Sequence, residues 1–253
     1  MSAAYVNSHI EHGINTIEFF HPQSNSLPGK ILDELAKEIH FAGTHDETKV
    51  IILKSAGDKT FCSGASFDEL IAIKNEAEGL KFFSGFANVI NAMRKCPKFI
   101  IGRIQGKCVG GGVGLAAAVD YAIALNKAEV KLSELAVGIG PFVVGPAVER
   151  KIGTSAFGTL SIDATTFRST DWAKRKGLFS EIHESTENMD EAVYKLANTL
   201  AHSSPKAMAE MKKILWKGTE HWDELLKERA AISGRLVLSD FTRNAISKFK
   251  AKG

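Results

Sequence analysis

Apolar residues follow two different periods along the chain. Residues 29–40 and 76–95 carry them at helical spacing, which predicts two amphipathic helices. The runs KVIILK at 49–54, KFIIGRI at 98–104 and YAIAL at 121–125 are short and apolar, as buried strands are. Strands thus alternate with helices, which predicts an α/β fold with parallel strands covered by helices.

The two ends of the chain carry other patterns. Residues 5–20 read as two short strands joined by a turn at His12-Gly13. Beyond about residue 187 the apolar spacing is helical throughout. We therefore predict an α/β core at 1–195 and a C-terminal helical region at 196–253.

Composition is that of an ordinary globular protein. Of the 253 residues, 44% are hydrophobic and 24% are charged, and the formal net charge of +3 is too small to indicate a nucleic-acid partner. Cys62, Cys96 and Cys108 show no metal-ligand or redox spacing, and free thiols fit a reducing compartment. The chain has no signal-peptide pattern and no apolar run of the ~18–20 residues that span a bilayer. We predict a cytoplasmic protein with neither membrane nor nucleic-acid partner.

Two glycine-containing loops are candidate functional sites, since each follows a predicted strand. In Cys62-Ser63-Gly64-Ala65-Ser66, Gly64 permits a positive φ that would turn a backbone N–H into a cleft. The same residues also fit an ordinary turn, with Ser66 as N-cap and Glu69 as its capping-box partner. Taken alone, this loop favours the ordinary turn.

The second loop, Gly110-Gly111-Gly112, opens a helix of small residues. Its N–H groups are not shielded by side chains and lie at the positive end of the helix, which suits an anion or a developing oxyanion. Close packing of the helix on a sheet is the alternative. Residues 112–117 also match G-x-G-x-x-A, with Glu134 further on, but Gly114 falls inside the predicted helix rather than at the turn, so a dinucleotide site is disfavoured.

Together the loops resemble the motifs of the crotonase (enoyl-CoA hydratase/isomerase) superfamily. FCSGASFDEL at 61–70 is similar to the first motif and GKCVGGGVGLAAAVD at 106–120 to the second. SELAVGIGPFVVGPAVERKIG at 133–153 resembles the third block; it contains a Gly/Pro-rich loop, and Glu134 lies in a predicted turn that enters a short helix. RLVLSDFTRNAISKF at 235–249 resembles the tail. The resemblance implies a ββα superhelix core with a C-terminal helical trimerisation region.

By position, the resemblance implies that the backbone N–H groups of Ala65 and Gly111 form an oxyanion hole for an acyl-CoA thioester. Hydratases of this family use two glutamates; the first position is Gly114 here, and the second is Glu134. One carboxylate suffices to move a proton from C2 to C4 of a 3-enoyl-CoA, and the Pro141-Phe142 pair resembles 3,2-enoyl-CoA isomerases. We therefore favour an isomerase with Glu134 as its base.

The resemblance also implies the contacts of CoA, which is part of the substrate rather than a separate cofactor. These are placed on the loops at 22–27 and 62–67 and on the tail, at Ser24, Ser63, Ala65, Phe67, Gly111, Phe249 and Lys252. A homotrimer or homohexamer is implied, and no metal. A hydratase, another crotonase activity, a non-catalytic acyl-CoA-binding homologue and the dinucleotide-binding oxidoreductase are the alternatives.

Overall fold

The computed structural model describes the backbone of residues 3–250 and the side chains of residues 3–246. In chain order the strands are β1 Tyr5–Glu11, β2 Ile14–Phe20, β3 Ser26–Leu27, β4 Val50–Ser55, β5 Thr60–Cys62, β6 Gly64–Ala65, β7 Phe99–Ile104, β8 Lys107–Val109, β9 Tyr121–Leu125, β10 Val130–Lys131 and β11 Glu181–His183. The helices are α1 Gly29–Thr44, α2 Phe67–Ala72, α3 Glu76–Lys95, α4 Gly111–Ala118, α5 Gly145–Ile162, α6 Thr170–Arg175, α7 Thr186–Ala201, α8 Pro205–Leu215, α9 Trp222–Leu236 and α10 Asp240–Lys250.

The large sheet has six strands in the order β1-β2-β4-β7-β9-β11. Its strands pair in parallel except for the antiparallel hairpin of β1 and β2. His12 and Gly13 both adopt positive φ, 50° and 81°, in the two-residue turn that this hairpin requires. The predicted hairpin and the parallel α/β arrangement are both confirmed.

Both faces of the large sheet are covered, which explains the continuous apolar runs at 50–53 in β4 and 99–101 in β7. Val50 and Ile52 of β4 pack with Met189 of α7 in one cluster, whereas Ile51 and Leu53 belong to the main core with α1 and α3. This split follows the alternation of side chains along a strand. Continuous apolar runs are typical of such doubly covered parallel strands.

The C-terminal helices pack against the same chain. Helix α9 crosses α3 where Gly79 meets Gly234, and a Cβ built on Gly79 would lie 2.7 Å from the Gly234 Cα. Trp216, Trp222 and Leu226 are buried in the main core. The division of the chain near residue 195 stays a prediction.

The segment 133–153 contains the predicted Gly/Pro-rich loop and, at Glu134, the predicted turn into a short helix. Residues Glu134–Val137 form a 3-10 turn, and α5 begins at Gly145, with a proline in its first turn. Proline fits there because the first helical N–H groups need no acceptor within the helix. The loop itself covers 138–144, and Gly153, with a φ of 77°, kinks α5 further on. Glu134 opens the 3-10 turn that precedes this loop.

Candidate active site

A small parallel sheet brings the predicted site residues to one edge. Its strands lie in the order β10-β8-β5. Ala65 follows β5, Gly111 follows β8 and Glu134 follows β10. Because the carboxyl ends of parallel strands meet at one edge of a sheet, these three residues converge although they are far apart in sequence.

The first loop leaves one backbone N–H unpaired with the neighbouring strand. Ser66 donates its N–H to the carbonyl of Leu27 over 3.0 Å in the pairing of β3 with β6. Successive N–H groups of an extended strand point to opposite sides, so this register does not use the N–H of Ala65. Gly64 has a φ of 94°, and Ala65 lines a cavity.

The capping prediction for this loop is half right. Ser66 is the N-cap of α2, and its Oγ accepts the N–H of Glu69 over 3.3 Å, as predicted. The Glu69 carboxylate, however, accepts the N–H of Gly29 over 2.8 Å instead of returning to Ser66. Since the Ser66 N–H is already bonded to Leu27, the side chain of Glu69 bonds to the first residue of α1.

The second loop places Gly111 at the first position of α4. The N–H groups of Val113 and Gly114 bond to the Gly110 carbonyl, whereas an N–H at the first helical position has no acceptor within its helix. A Cβ built on Gly64 would lie 3.4 Å from the Gly111 nitrogen, so the two loops are in contact. The ring of Phe86 packs on Gly111 so closely that a Cβ there would lie 2.3 Å from it.

Glu134 lies against the second loop. A Cβ built on Gly110 would lie 3.2 Å from Oε1 of Glu134. Its Oε2 is buried and has no hydrogen-bond partner, although the residue as a whole is partly exposed. Burial raises the pKa of Glu134 from 4.5 to about 7, because desolvation penalises the charged carboxylate. A carboxyl group with that pKa can both take and return a proton near neutral pH.

A cavity of about 400 Å³ joins these groups. Among the described residues on its wall, Glu134 and Lys131 alone have charged side chains. The remainder is mainly apolar and includes phenylalanines of α3 and residues that follow the 3-10 turn: Phe82, Phe83, Phe86, Ile139, Phe142 and Val143. The site is therefore a largely apolar pocket with a single carboxyl group.

The place of the family's first glutamate is occupied by another side chain. A Cβ on Gly114 would lie 2.5 Å from Cγ1 of Val144, which is buried. Gly114 lies inside α4, one turn from the loop. The sequence predicted this position within the helix, and it was the reason why a dinucleotide site was disfavoured. Glycine at this position is thus required by close packing, and the space for a second carboxyl group is filled.

The residues predicted to contact CoA fall into three groups. Ser63 and Phe67 line the cavity beside Ala65 and Gly111. Ser24 is exposed on a loop that the side chain of Asn25 holds in place, and it does not line the cavity. The Phe249 side chain and Lys252 lie outside the described residues.

Sequence reasoning missed two features of this region. Lys131 lines the cavity three residues before Glu134, and Val144 occupies the space beside Gly114. The available signal for Lys131 was a lysine directly before the third motif; Val144 gave none, because its contact with Gly114 spans thirty residues of sequence. Among the described residues, no group of three or more His, Cys, Asp or Glu is placed to hold a metal ion.

No helix within the described part of the chain has the length and apolar character that crossing a bilayer requires. A parallel α/β fold whose cavity is lined by Ala65, by Gly111 at a helix start and by a carboxyl group with one buried, unpaired oxygen is suited to an enzyme that stabilises an oxyanion. This description defines a class of site and not yet a particular family.

Comparison with known proteins identifies the family. The chain belongs to the enoyl-CoA hydratase/isomerase family, whose model matches residues 9–249. A short-chain-enoyl-CoA hydratase of Clostridium acetobutylicum is 27% identical over 230 residues, covering 90% of this chain and 87% of that protein. A peroxisomal Delta(3,5)-Delta(2,4)-dienoyl-CoA isomerase of Arabidopsis thaliana is 26% identical over 239 residues, covering 88% of this chain and 84% of that protein.

A solved structure has the same fold. The enoyl-CoA hydratase from Bacillus halodurans aligns with a TM-score of 0.89 at 22% identity, covering 96% of this chain and 99% of that one. The predicted crotonase-type α/β fold and the family resemblance are confirmed, and the chain is an acyl-CoA enzyme of that family. The trimerisation role of its C-terminal region stays a prediction.

Proposed function

We propose that this chain is a 3,2-enoyl-CoA isomerase that uses Glu134 as its single proton carrier. One observation carries the proposal: Glu134 supplies the one carboxyl group among the described residues of the cavity wall, and its Oε2 is buried without a partner. A buried carboxyl group with a pKa of about 7 can accept a proton and release it again at neutral pH.

The reaction follows from the position of the three groups. The thioester oxygen lies between the N–H groups of Ala65 and Gly111. Glu134 removes a proton from C2 of the 3-enoyl group, and the C–H electron pair forms a dienolate whose charge moves to that oxygen. The N–H groups stabilise this charge more than that of the ground-state thioester. Glu134 then gives its proton to C4, the double bond forms between C2 and C3, and the carboxylate is restored.

The packing of Gly114 supports isomerisation over water addition. In the family, addition of water is assigned to two glutamates, and the first of them is absent here. Val144 fills the space that this side chain would need. An intramolecular proton transfer needs no bound water, so a single carboxylate meets its requirements.

We extend the proposal to substrate contacts and assembly. CoA runs along the loops at 22–27 and 62–67, near Ser24, Ser63 and Phe67, and the tail residues Phe249 and Lys252 contact it. The chain forms a homotrimer or homohexamer. These statements rest on the family resemblance, and the cytoplasmic location likewise stays a prediction.

Hydration is the second candidate, because relatives such as the Clostridium acetobutylicum protein are named as hydratases. A crotonase homologue that binds acyl-CoA without turnover is the third, because one carboxyl group is missing. The three candidates differ in product: a shifted double bond, a 3-hydroxyacyl-CoA, or none. Assays that separate these products therefore distinguish them.

The test compares native protein with Glu134→Gln on 3-hexenoyl-CoA and crotonyl-CoA. We expect native protein to convert the 3-enoyl ester to the 2-enoyl ester, and Glu134→Gln to lower kcat by about 10²–10⁴-fold. Both proteins should bind hexanoyl-CoA equally, since the backbone donors remain. Glu129→Gln, a carboxyl group that pairs with Lys107, is the matched control and should keep full activity.

Three results would contradict the proposal. Full isomerisation by Glu134→Gln would exclude Glu134 as the base. Hydration of crotonyl-CoA without isomerisation of 3-hexenoyl-CoA would favour the second candidate, and binding of hexanoyl-CoA without either reaction would favour the third.

A further inference from the structure

Lys131 is the second charged residue on the described wall of the cavity. It ends β10, three residues before Glu134, and its carbonyl accepts the N–H of Gly110 over 2.9 Å. Its backbone is therefore joined to the glycine loop that provides Gly111. A lysine held this close to the reacting groups faces whatever occupies the cavity.

Lys107 and Lys131 contact the same aromatic ring, but only Lys107 has a carboxylate partner among the described residues. The Nζ atoms of Lys107 and Lys131 lie 4.5 Å and 4.3 Å from the centre of the Phe167 ring. Lys107 also has an anionic partner, because its Nζ lies 3.1 Å from Glu129 Oε2. Within the described part of the chain, no carboxylate oxygen lies within 4.0 Å of the Lys131 Nζ.

An ammonium group has three N–H donors, and a ring face satisfies none of them as a hydrogen bond. Contact with Phe167, which is not among the described residues of the cavity wall, therefore leaves these donors unsatisfied. The hydroxyl-bearing residues Ser133 and Thr165 line the same cavity as Lys131. A cation and hydroxyl groups on a mainly apolar wall are suited to an anion.

Strand order indicates which part of the substrate reaches this site. The sheet runs β10-β8-β5, so the loop after β5 and the edge strand β10 lie on opposite sides of Gly111. In the proposed function, CoA lies along the loop after β5 and Glu134 must reach C2 and C4. The acyl carbons therefore extend toward β10, where Lys131 lies.

From this placement we infer that the acyl group carries a second carboxylate, which pairs with Lys131, so that the substrate is the CoA monothioester of a dicarboxylic acid. This inference rests on the proposed function. A phosphate of CoA offers the same anionic chemistry and is the alternative source. The experiment therefore has to separate the acyl end of the ligand from the CoA end.

Binding of unreactive saturated esters separates the two ends. Isothermal titration calorimetry would compare succinyl-CoA with butyryl-CoA, adipoyl-CoA with hexanoyl-CoA, and CoA alone. We expect native protein to bind at least one carboxylated ester about tenfold or more tightly than its neutral partner, as a charged hydrogen bond provides. Lys131→Met should remove this preference while binding the neutral esters and CoA as native protein does.

Two control variants test the role of the charge itself. Lys131→Arg keeps a cation and should retain part of the preference, and Lys107→Met, on the same ring, should retain all of it. Unchanged binding of hexanoyl-CoA by Lys131→Met shows that the variant is folded.

Three results would overturn the inference. Equal affinity of native protein for carboxylated and neutral esters would remove its basis. Equal weakening of every ligand, CoA included, by Lys131→Met would assign Lys131 to a phosphate. Failure of native protein to bind any CoA ester would contradict the proposed function itself, a result distinct from binding without preference.

Discussion

Two buried carboxyl groups of this chain, those of Asp120 and Glu134, have opposite surroundings. Asp120 Oδ2 accepts the N–H of Ile100 and the Lys212 ammonium, each over 2.8 Å, and Oδ1 accepts the indole N–H of Trp216 over 3.0 Å. The side chains of Asp120 and Lys212 are only 7% and 3% exposed. Asp120 thus joins β7 to α8 through a buried, fully paired charge.

Glu134 has no such partners. Its Oε2 is buried and unpaired, and burial raises its pKa to about 7. The hydrogen-bond donors around a carboxyl group therefore decide its role. Where donors satisfy both oxygens, as at Asp120, a carboxyl group holds segments together. Where an oxygen is buried without a donor, as Oε2 of Glu134 is, burial raises the pKa to about 7 and the group can transfer protons near neutral pH.

The largest expected effect on stability is that of Asp120→Ala. The change leaves the Lys212 ammonium buried without its carboxylate, so we expect the free energy of unfolding to fall by about 3–5 kcal/mol. Urea denaturation at pH 7 measures it. Glu210→Ala removes an exposed ion pair with Lys213 on the same helix and should change stability by less than about 1 kcal/mol. Equal losses in the two variants would show that burial of the Asp120 pair has no special weight.

Glu134 has no second carboxyl group beside it, and we attribute this to Val144, which occupies the space next to Gly114. The variant Gly114→Ala tests this explanation. A Cβ at 114 would overlap Val144, so we expect a loss of about 1–3 kcal/mol in unfolding free energy. In the double variant with Val144→Ala the loss should be smaller than the sum of the two single losses. Gly158→Ala in α5 is the control, since nothing lies within 4 Å of its Cβ. It should gain up to about 1 kcal/mol, and a similar gain at Gly114 would refute the packing argument.

The unpaired state of Glu134 should lower stability at high pH. Its folded pKa of about 7 exceeds the ordinary 4.5, so the folded state holds the proton more tightly than the unfolded one. The resulting penalty is absent below pH 4.5, grows between 4.5 and 7, and is complete above 7. Glu134→Gln should therefore raise Tm at pH 8 by about 5–10 °C, yet leave it unchanged at pH 4. The same difference at both pH values would exclude titration as its cause.

The pH dependence of the reaction rate tests the same carboxyl group. If Glu134 is the base, kcat/KM for 3-hexenoyl-CoA should rise with pH and reach half its maximum near pH 7. Initial rates between pH 5 and 9 would show it. A profile with its midpoint near 4.5 would indicate that the carboxylate is solvated during turnover, and the contrast with Asp120 would then lose its chemical meaning.

Local patterns predicted most of the elements. Helix α3 has the predicted bounds because its apolar period is long, Asn75 caps its start and Pro97 follows its end. The strands β5, β8 and β10 have only two or three residues and carry no period of their own. The sequence therefore predicted the two glycine loops but not the small sheet that brings them together.

The capping-box contact from Glu69 back to Ser66 was wrong, again because of a segment distant in sequence. The spacing from Ser66 was right, but α1 places the N–H of Gly29 within reach of the Glu69 carboxylate. The local signal was correct in kind, and a neighbouring segment decided the outcome.

The sequence by itself determined which chemical groups are available: glycines that leave backbone N–H groups bare at 110–112, one glutamate at 134 and no carboxyl group at 114. Only the tertiary structure decided that Glu134 is buried without a partner, that Val144 closes the space beside Gly114, and that Lys131 faces the cavity. The physical reason is that burial and hydrogen bonding depend on all segments that share a volume. Those segments are brought together by folding and are not neighbours in the sequence.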